Sequence, residues 1–199
     1  MHNQKTFNPA DAHKLDDPQR PSYMPREEVV EALHLSSGMN IADIGAGTGY
    51  FALPFARAVS PGGCVFAVDL QRAMLNLLEA KLGAPDAPKN IELIEAAADR
   101  TSLAKASCDR VFLGNVWHEF ADHSAVLAEV ARILRPGGTF AILDWRTGVS
   151  SPPGPPPGHR IAQSDAEAAL KREGWKIEQS VRCGNYSYLI VASAPAMAR

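Results

Sequence analysis

The chain has 199 residues, 46% hydrophobic and 21% charged, enough for one domain with an ordinary core and cramped for two. Twenty Lys plus Arg against 22 Asp plus Glu leave a net charge of -2, without the basic footprint of a general nucleic-acid binder. No apolar run reaches the roughly 18 residues that cross a bilayer, and the first 22 residues hold no apolar targeting segment.

Three scattered cysteines (Cys64, Cys108 and Cys183) form neither a disulfide framework nor a CxxC metal site. We therefore expect a reduced, cytoplasmic protein with no membrane association.

Residues 1–22, with Pro9, Pro18 and Pro21, read as an irregular arm. Together with Tyr23 and Met24 they form a 1–24 segment that is either a lid or disordered. Pro25 sits where a helix begins, and Val29, Val30 and Leu33 share one face of it over Arg26–Leu35. From there strand and helix alternate. Asn40–Ile44 reads as a buried strand, Gly49–Val59 as a helix, Cys64–Leu70 as the second strand and Arg72–Leu82 as an amphipathic helix. Ile91–Glu95 and Asp109–Gly114 follow as strands. Ser124–Leu134 is then a helix closed by Pro136-Gly137-Gly138, and Thr139–Trp145 is strand five.

This order predicts a parallel sheet with helices on both faces. Residues 146–160 break the pattern as a Pro-rich loop inside a domain spanning 25–195. Ser164-Asp165-Ala166-Glu167 reads as a capping box for a helix running to about Gly174. Lys176–Arg182 and Tyr186–Ala192, joined by Cys183-Gly184-Asn185, read as a closing hairpin.

The strongest local signal is the run from Ile41 to Tyr50, in which a strand enters the turn Gly45-Ala46-Gly47-Thr48-Gly49 and then a helix. Missing side chains let a ligand approach the backbone, and in open parallel sheets ligands bind at the carboxyl ends of strands. The dinucleotide fingerprint G-x-G-x-x-G needs a third glycine where this chain has Tyr50, and no Gly-Lys-Ser/Thr follows for a P-loop. Asp43, two residues before the first glycine, opposes a pyrophosphate and suits a cationic ligand.

On these residues the chain resembles the class I S-adenosylmethionine-dependent methyltransferases, of the small single-domain type 11/25-like kind, over roughly residues 25–192. Val65-Phe66-Ala67-Val68-Asp69 is similar to the family's second motif, Asn115-Val116-Trp117-His118 follows strand four, and Leu134-Arg135-Pro136-Gly137-Gly138 precedes strand five. The resemblance implies a Rossmann-like doubly wound α/β fold. Its sheet would be mostly parallel and seven-stranded with an antiparallel last strand, in the order 3-2-1-4-5-7-6.

It implies S-adenosyl-L-methionine as cofactor, S-adenosyl-L-homocysteine as product, and contacts from Asp43 and from Gly45, Ala46 and Gly47. Asp69 would hold the ribose hydroxyls, with Tyr50 and Leu70 nearby, Asp99 the adenine amino group, and Asn115 the methionine end. Asp43 has a second reading as a turn cap, Asp69 as a strand-end turn residue and Asp99 as a helix cap.

His118 and His123 are five apart and so do not share a helix face as HExxH ligands do; we expect no metal. Cys64 and Cys108 fall at the amino ends of their strands, away from the cofactor end, which argues against a three-thiol site. Methyl transfer needs a base only where the acceptor carries a proton. His118 is the first candidate, then His159 and Asp144. His159 and Arg160 lie in the Pro-rich loop, which is either a substrate-facing segment or a linker. The strand-four motif is not Asn/Asp-Pro-Pro-aromatic, against nucleobase amines and the release-factor glutamine as acceptors.

A small, apolar, ring-like metabolite is the leading expectation, with Trp117, Phe120 and Trp145 as pocket or core residues, in a monomer or homodimer. The alternatives are a protein or RNA methyltransferase acting with a partner chain and a non-catalytic cofactor-binding module. An NAD-dependent oxidoreductase is disfavoured by Tyr50 and by the lack of a recognisable catalytic Tyr-x-x-x-Lys.

Overall fold

A computed structural model describes residues 7–151 and 153–195. Seven strands form one sheet: β1 (Asn40–Ile44), β2 (Cys64–Asp69), β3 (Ile91–Glu95), β4 (Cys108–Gly114), β5 (Leu134–Trp145), β6 (Lys176–Cys183) and β7 (Ser187–Ser193). Their order is β3-β2-β1-β4-β5-β7-β6, as the resemblance implied. All pairs from β3 across to β5 are parallel, and β7 runs antiparallel to both neighbours.

The alternation of side chains along each strand divides the core in two. Val111, Leu113, Phe140 and Ile142 face α5 (His123–Ile133) and α6 (Gln163–Arg172). Phe112, Ala141 and Leu143 face the layer of α2 (Arg26–Ala32) and α3 (Ala52–Ala58), which supplies Val29, Leu33, Phe55 and Ala56. The amphipathic α4 (Arg72–Leu82) covers the β2–β3 end, burying Met74, Leu75 and Leu78.

Three expectations need correction. The arm is ordered over its described part: Pro9–Asp16 forms a 3-10 helix capped by Asn8, and α1 (Arg20–Tyr23) follows it. The first six residues lie outside the described region. The capping box is not formed. Helix α6 begins at Gln163 after Ala162, without a side-chain cap, because the Glu167 carboxylate is taken by the Ser180 hydroxyl and lies 3.7 Å from the Lys171 ammonium. Finally, β5 starts at Leu134 rather than Thr139. Pro136-Gly137-Gly138 bulges out of its ladder, between the pairs Cys108–Leu134 and Arg110–Thr139.

Candidate active site

Strand order reverses between β1 and β4, whose neighbours lead away on opposite sides, and at their carboxyl ends lies a cleft. Its floor is the Gly45–Gly49 turn. The amides of Gly45 and Ala46 both donate to Val68 O, at 2.7 and 3.0 Å, tying the turn to β2. Gly45 has φ +78°, and a Cβ there would fall 2.6 Å from a Val116 methyl. Gly47 has φ +55° and lies under Leu15. Both positions need glycine, the first for space and both for conformation.

Asp43, the penultimate residue of β1, and Asp69, the last of β2, stand beside this turn. Asp69 accepts from Gly47 N at 2.8 Å and from Gln71 N at 2.9 Å, one bond on each oxygen, leaving lone pairs on both for a ligand. Burial nevertheless raises its pKa against these two bonds. Asp43 is 2% exposed. Burial, reinforced by the charge of Asp69, pushes its pKa up to about 7, while a bond from Ala52 N–H and the nearby Arg20 pull the other way. Its Oδ2 is sealed and has no partner among the described residues.

Asn115, after β4, is held at φ +61° with its amide donating to Leu143 O. Its Oδ1 is the second sealed, unpartnered oxygen of the cleft. Such atoms cost free energy unless a ligand satisfies them.

The N-terminal segment lies across the mouth. Phe7, Leu15 and Arg20 line the cleft. Asp16 accepts from the Thr48 hydroxyl at 2.8 Å and from Lys81 at 2.6 Å, and Gln71 donates to Phe7 O. Arg20 is 8% exposed, donates to Leu15 O and stacks 3.9 Å from the Tyr50 ring centroid. Its burial lowers its pKa. Arg20 was not anticipated from sequence, because the prolines around it hide the two short helices that aim it. The Tyr50 hydroxyl donates to Met24 O, so Tyr50 joins the arm to the turn.

Of the expected site residues, Asp43, Gly45, Ala46, Gly47, Tyr50, Asp69, Leu70 and Asn115 all line this cleft. Asp99 does not; it is exposed in the Ala97–Arg100 turn, while Ala96 and Ala98 supply the wall there. His159 is also exposed, in the turn Pro157–His159. Phe120 lines the cleft, whereas Trp117 is 1% exposed core and Trp145 is packed beneath the Pro-rich loop. Among the described residues no cluster of His, Cys, Asp or Glu is suited to a metal, and no helix is long and apolar enough to cross a membrane.

The donor set fits a zwitterionic, nucleoside-bearing ligand. It offers two orphaned acceptor oxygens of the kind that suit an ammonium, a buried guanidinium that suits a carboxylate, and a strand-end carboxylate that suits vicinal hydroxyls. A doubly wound sheet with such a cleft at its switch point defines a nucleotide-cofactor-binding α/β protein. Residues 42–142 match the family described as the methyltransferase domain, and the chain belongs to that family, within the class I S-adenosylmethionine-dependent methyltransferases.

A solved S-adenosylmethionine-dependent methyltransferase from Aquifex aeolicus superposes with a TM-score of 0.88 at 28% identity, covering 94% of this chain and 98% of that one. A demethylmenaquinone methyltransferase of Lactococcus lactis is 33% identical over 108 residues, 54% of this chain and 42% of the relative. An uncharacterized methyltransferase of Mycobacterium tuberculosis is 36% identical over 128 residues, 64% of this chain and 47% of the relative. The matches thus span less than half the length of these curated relatives.

Proposed function

We propose that this chain transfers a methyl group from S-adenosylmethionine to a small-molecule acceptor. The observation that carries this reading is the meeting of Asp43 Oδ2, Asn115 Oδ1 and the Arg20 guanidinium in one cleft, the charge pattern of an amino-acid tail. In this reading Asp43 and Asn115 take the cofactor's ammonium, Arg20 its carboxylate and Asp69 its ribose hydroxyls. Tyr50, Leu70 and the backbone of Gly45, Ala46 and Gly47 form the surrounding walls.

The cofactor supplies a methyl group on a sulfonium, already a good leaving group. The protein's work is therefore to align the acceptor and keep the site dry. The covering segment with Phe7 and Leu15 supports water exclusion. The apolar lining and the demethylmenaquinone methyltransferases among the relatives support a small acceptor with an apolar ring. The test is a calorimetric titration with S-adenosylhomocysteine, with NADH as control and Asp69→Ala beside the wild type. Micromolar binding weakened in the variant supports the reading. Binding of NADH instead would sink it.

A further inference from the structure

A second constellation lies beside the cleft and plays no part in cofactor binding. After β4 the chain makes a 3-10 turn, Trp117–Glu119. Val116, Glu119 and Phe120 line the cleft, and His118, which lies between them in the chain, sits beside that wall and is not itself part of the lining. The His118 ring turns to the end of β5, where Asp144 is fully buried. His118 Nδ1 lies 2.8 Å from Asp144 Oδ1 and 3.1 Å from Oδ2. Asp144 also accepts from the backbone amides of His118, at 2.9 Å, and Trp145, at 2.8 Å.

A carboxylate is acceptor-only, so Nδ1 carries the hydrogen and the lone pair of the neutral ring is on Nε2. Nε2 has no hydrogen-bond partner among the described residues, and it is not among the sealed polar atoms. The side chain retains 9% exposure. A buried carboxylate is costly to maintain, and here it accepts a ring nitrogen and two amides. That is the arrangement that fixes a histidine's tautomer and stabilises its protonated form.

We propose that the His118–Asp144 pair is the proton acceptor of the reaction, and that the acceptor molecule is accordingly a hydroxylated compound methylated on oxygen. This inference rests on the methyl-transfer reading above. An alkylthiol is partly ionised and an amine often partly neutral near neutral pH, whereas a hydroxyl is a weak nucleophile until its proton leaves. As the acceptor oxygen bonds to the methyl carbon, the carbon–sulfur bond breaks and its electron pair goes to sulfur. The hydroxyl proton passes to His118 Nε2. The products are a methyl ether, the neutral thioether and an imidazolium. The positive charge that leaves sulfur reappears beside Asp144.

The groups facing His118 agree with this role. Burial alone depresses its pKa, but the hydrogen bond and charge of Asp144, with Glu119 adding to them, outweigh that and leave it raised. Arg160, from the Pro-rich loop, acts in the opposite direction. Tyr188, paired with Asp144 across β5 and β7, is buried with its hydroxyl unpartnered among the described residues, and burial, with the charges of Asp144 and Asp165 added, raises its pKa so that it stays neutral. Glu119, on the cleft wall, is itself lifted to about 7 by burial, with the charge of His118 lowering it and those of Asp144 and Asp69 raising it, so the His118 midpoint is read from the labelled histidine ring and not from the rate profile alone.

The experiment is nitrogen-15 NMR of histidine-labelled protein saturated with S-adenosylhomocysteine, comparing wild type with Asp144→Asn. A parallel assay follows methyl transfer to 2-naphthol and to 2-naphthalenethiol, in wild type and His118→Asn. The aryl thiol ionises unaided near neutral pH; the naphthol does not. We expect neutral His118 to carry its proton on Nδ1. We expect Asp144→Asn to lower its titration midpoint by about one pH unit or more and to shift the tautomer.

His118→Asn should lose about a hundredfold in rate on the naphthol and less than about threefold on the thiol. The wild-type naphthol rate should rise with pH along the His118 midpoint read by NMR. A proton on Nε2, or an Asp144→Asn spectrum unchanged from wild type, overturns the pair. An undiminished naphthol rate in His118→Asn does the same. Product from the thiol alone, or from neither probe, overturns the hydroxyl assignment. Loss of S-adenosylhomocysteine binding in the wild type would instead count against the cofactor reading itself, which separates the two failures.

Discussion

At Asp43 a single carboxyl is placed where it weakens the fold, and in the proposed reading it serves the ligand. Held near 7 by burial and by Asp69, it takes up a proton on folding between about pH 4 and pH 7. Stability therefore falls as pH rises through that window, by an order of about 4 kcal/mol once the group is ionised in the folded state. Asp43→Asn should raise the melting temperature of the ligand-free protein by several degrees at pH 8, and should leave it nearly unchanged at pH 4. The same variant should lose S-adenosylhomocysteine binding by at least about a hundredfold, because the ligand's ammonium loses its counter-charge. A variant that melts lower than wild type at pH 8 would contradict the account.

Asp69 differs, since its two backbone bonds organise Gly47 and Gln71. Asp69→Ala should weaken S-adenosylhomocysteine about a hundredfold by calorimetry, from two lost charge-assisted bonds, and should also lower stability. These two carboxylates were readable from sequence, because each lies at the carboxyl end of a strand at a fixed distance from the glycine turn. His118 and Asp144 are 26 residues apart, and only the adjacency of β4 and β5 brings them together. Their pairing could not be read from spacing.

At the scale of elements, the Pro-rich loop shows why composition alone misleads. Five prolines suggest stiff extended pieces, yet one side chain gathers the carbonyls of the described part of the loop. Arg160, 7% exposed, donates through Nε to Pro155 O, through Nη1 to Arg146 O and Val149 O, and through Nη2 to Ser150 O and Pro153 O. A guanidinium has five N–H donors in a fixed fork, and here each finds a carbonyl. Gly154, at φ +87°, lies against the Trp145 ring under this wrap.

Arg160→Lys should not rescue what Arg160→Ala loses, since an ammonium offers three donors on one point. Limited proteolysis is the readout: both variants should be cut within 149–157 at least about tenfold faster than wild type, and the wild-type rate in the lysine form would refute the wrap. The N-terminal segment escaped the sequence reading for a related reason. Prolines at 9, 18 and 21 hide any helical period, and its structure depends on distant partners, Thr48, Lys81 and Gln71, rather than on its own pattern. By contrast α4, with a regular apolar stripe, and β3, short and bounded, were placed to the residue.

For the whole molecule, the fold was legible because each strand–helix unit carries its own period, and right-handed connections leave few ways to assemble them. The closing hairpin was legible from its turn residues. What sequence could not give is how closed the cleft is. With Phe7 and Leu15 across its mouth it encloses about 120 Å³, below the roughly 300–1,000 Å³ of a small-molecule site. A nucleoside ligand is therefore expected to displace the covering segment on entry.

Ligand binding couples to this segment and to global stability by mass action. S-adenosylhomocysteine at a hundred times its dissociation constant should stabilise the protein by about 2.7 kcal/mol. For a chain of this size that corresponds to a rise of about 5–10 °C in melting temperature. NADH at the same concentration should give no rise. In Asp16→Ala, which removes the contacts to Thr48 and Lys81 but none of the groups assigned to the ligand, the rise should persist but require about three- to tenfold more ligand. Unchanged ligand demand in that variant would mean that the segment covers the cleft without contributing to retention of the ligand, and equal rises with both ligands would remove the basis for cofactor selectivity.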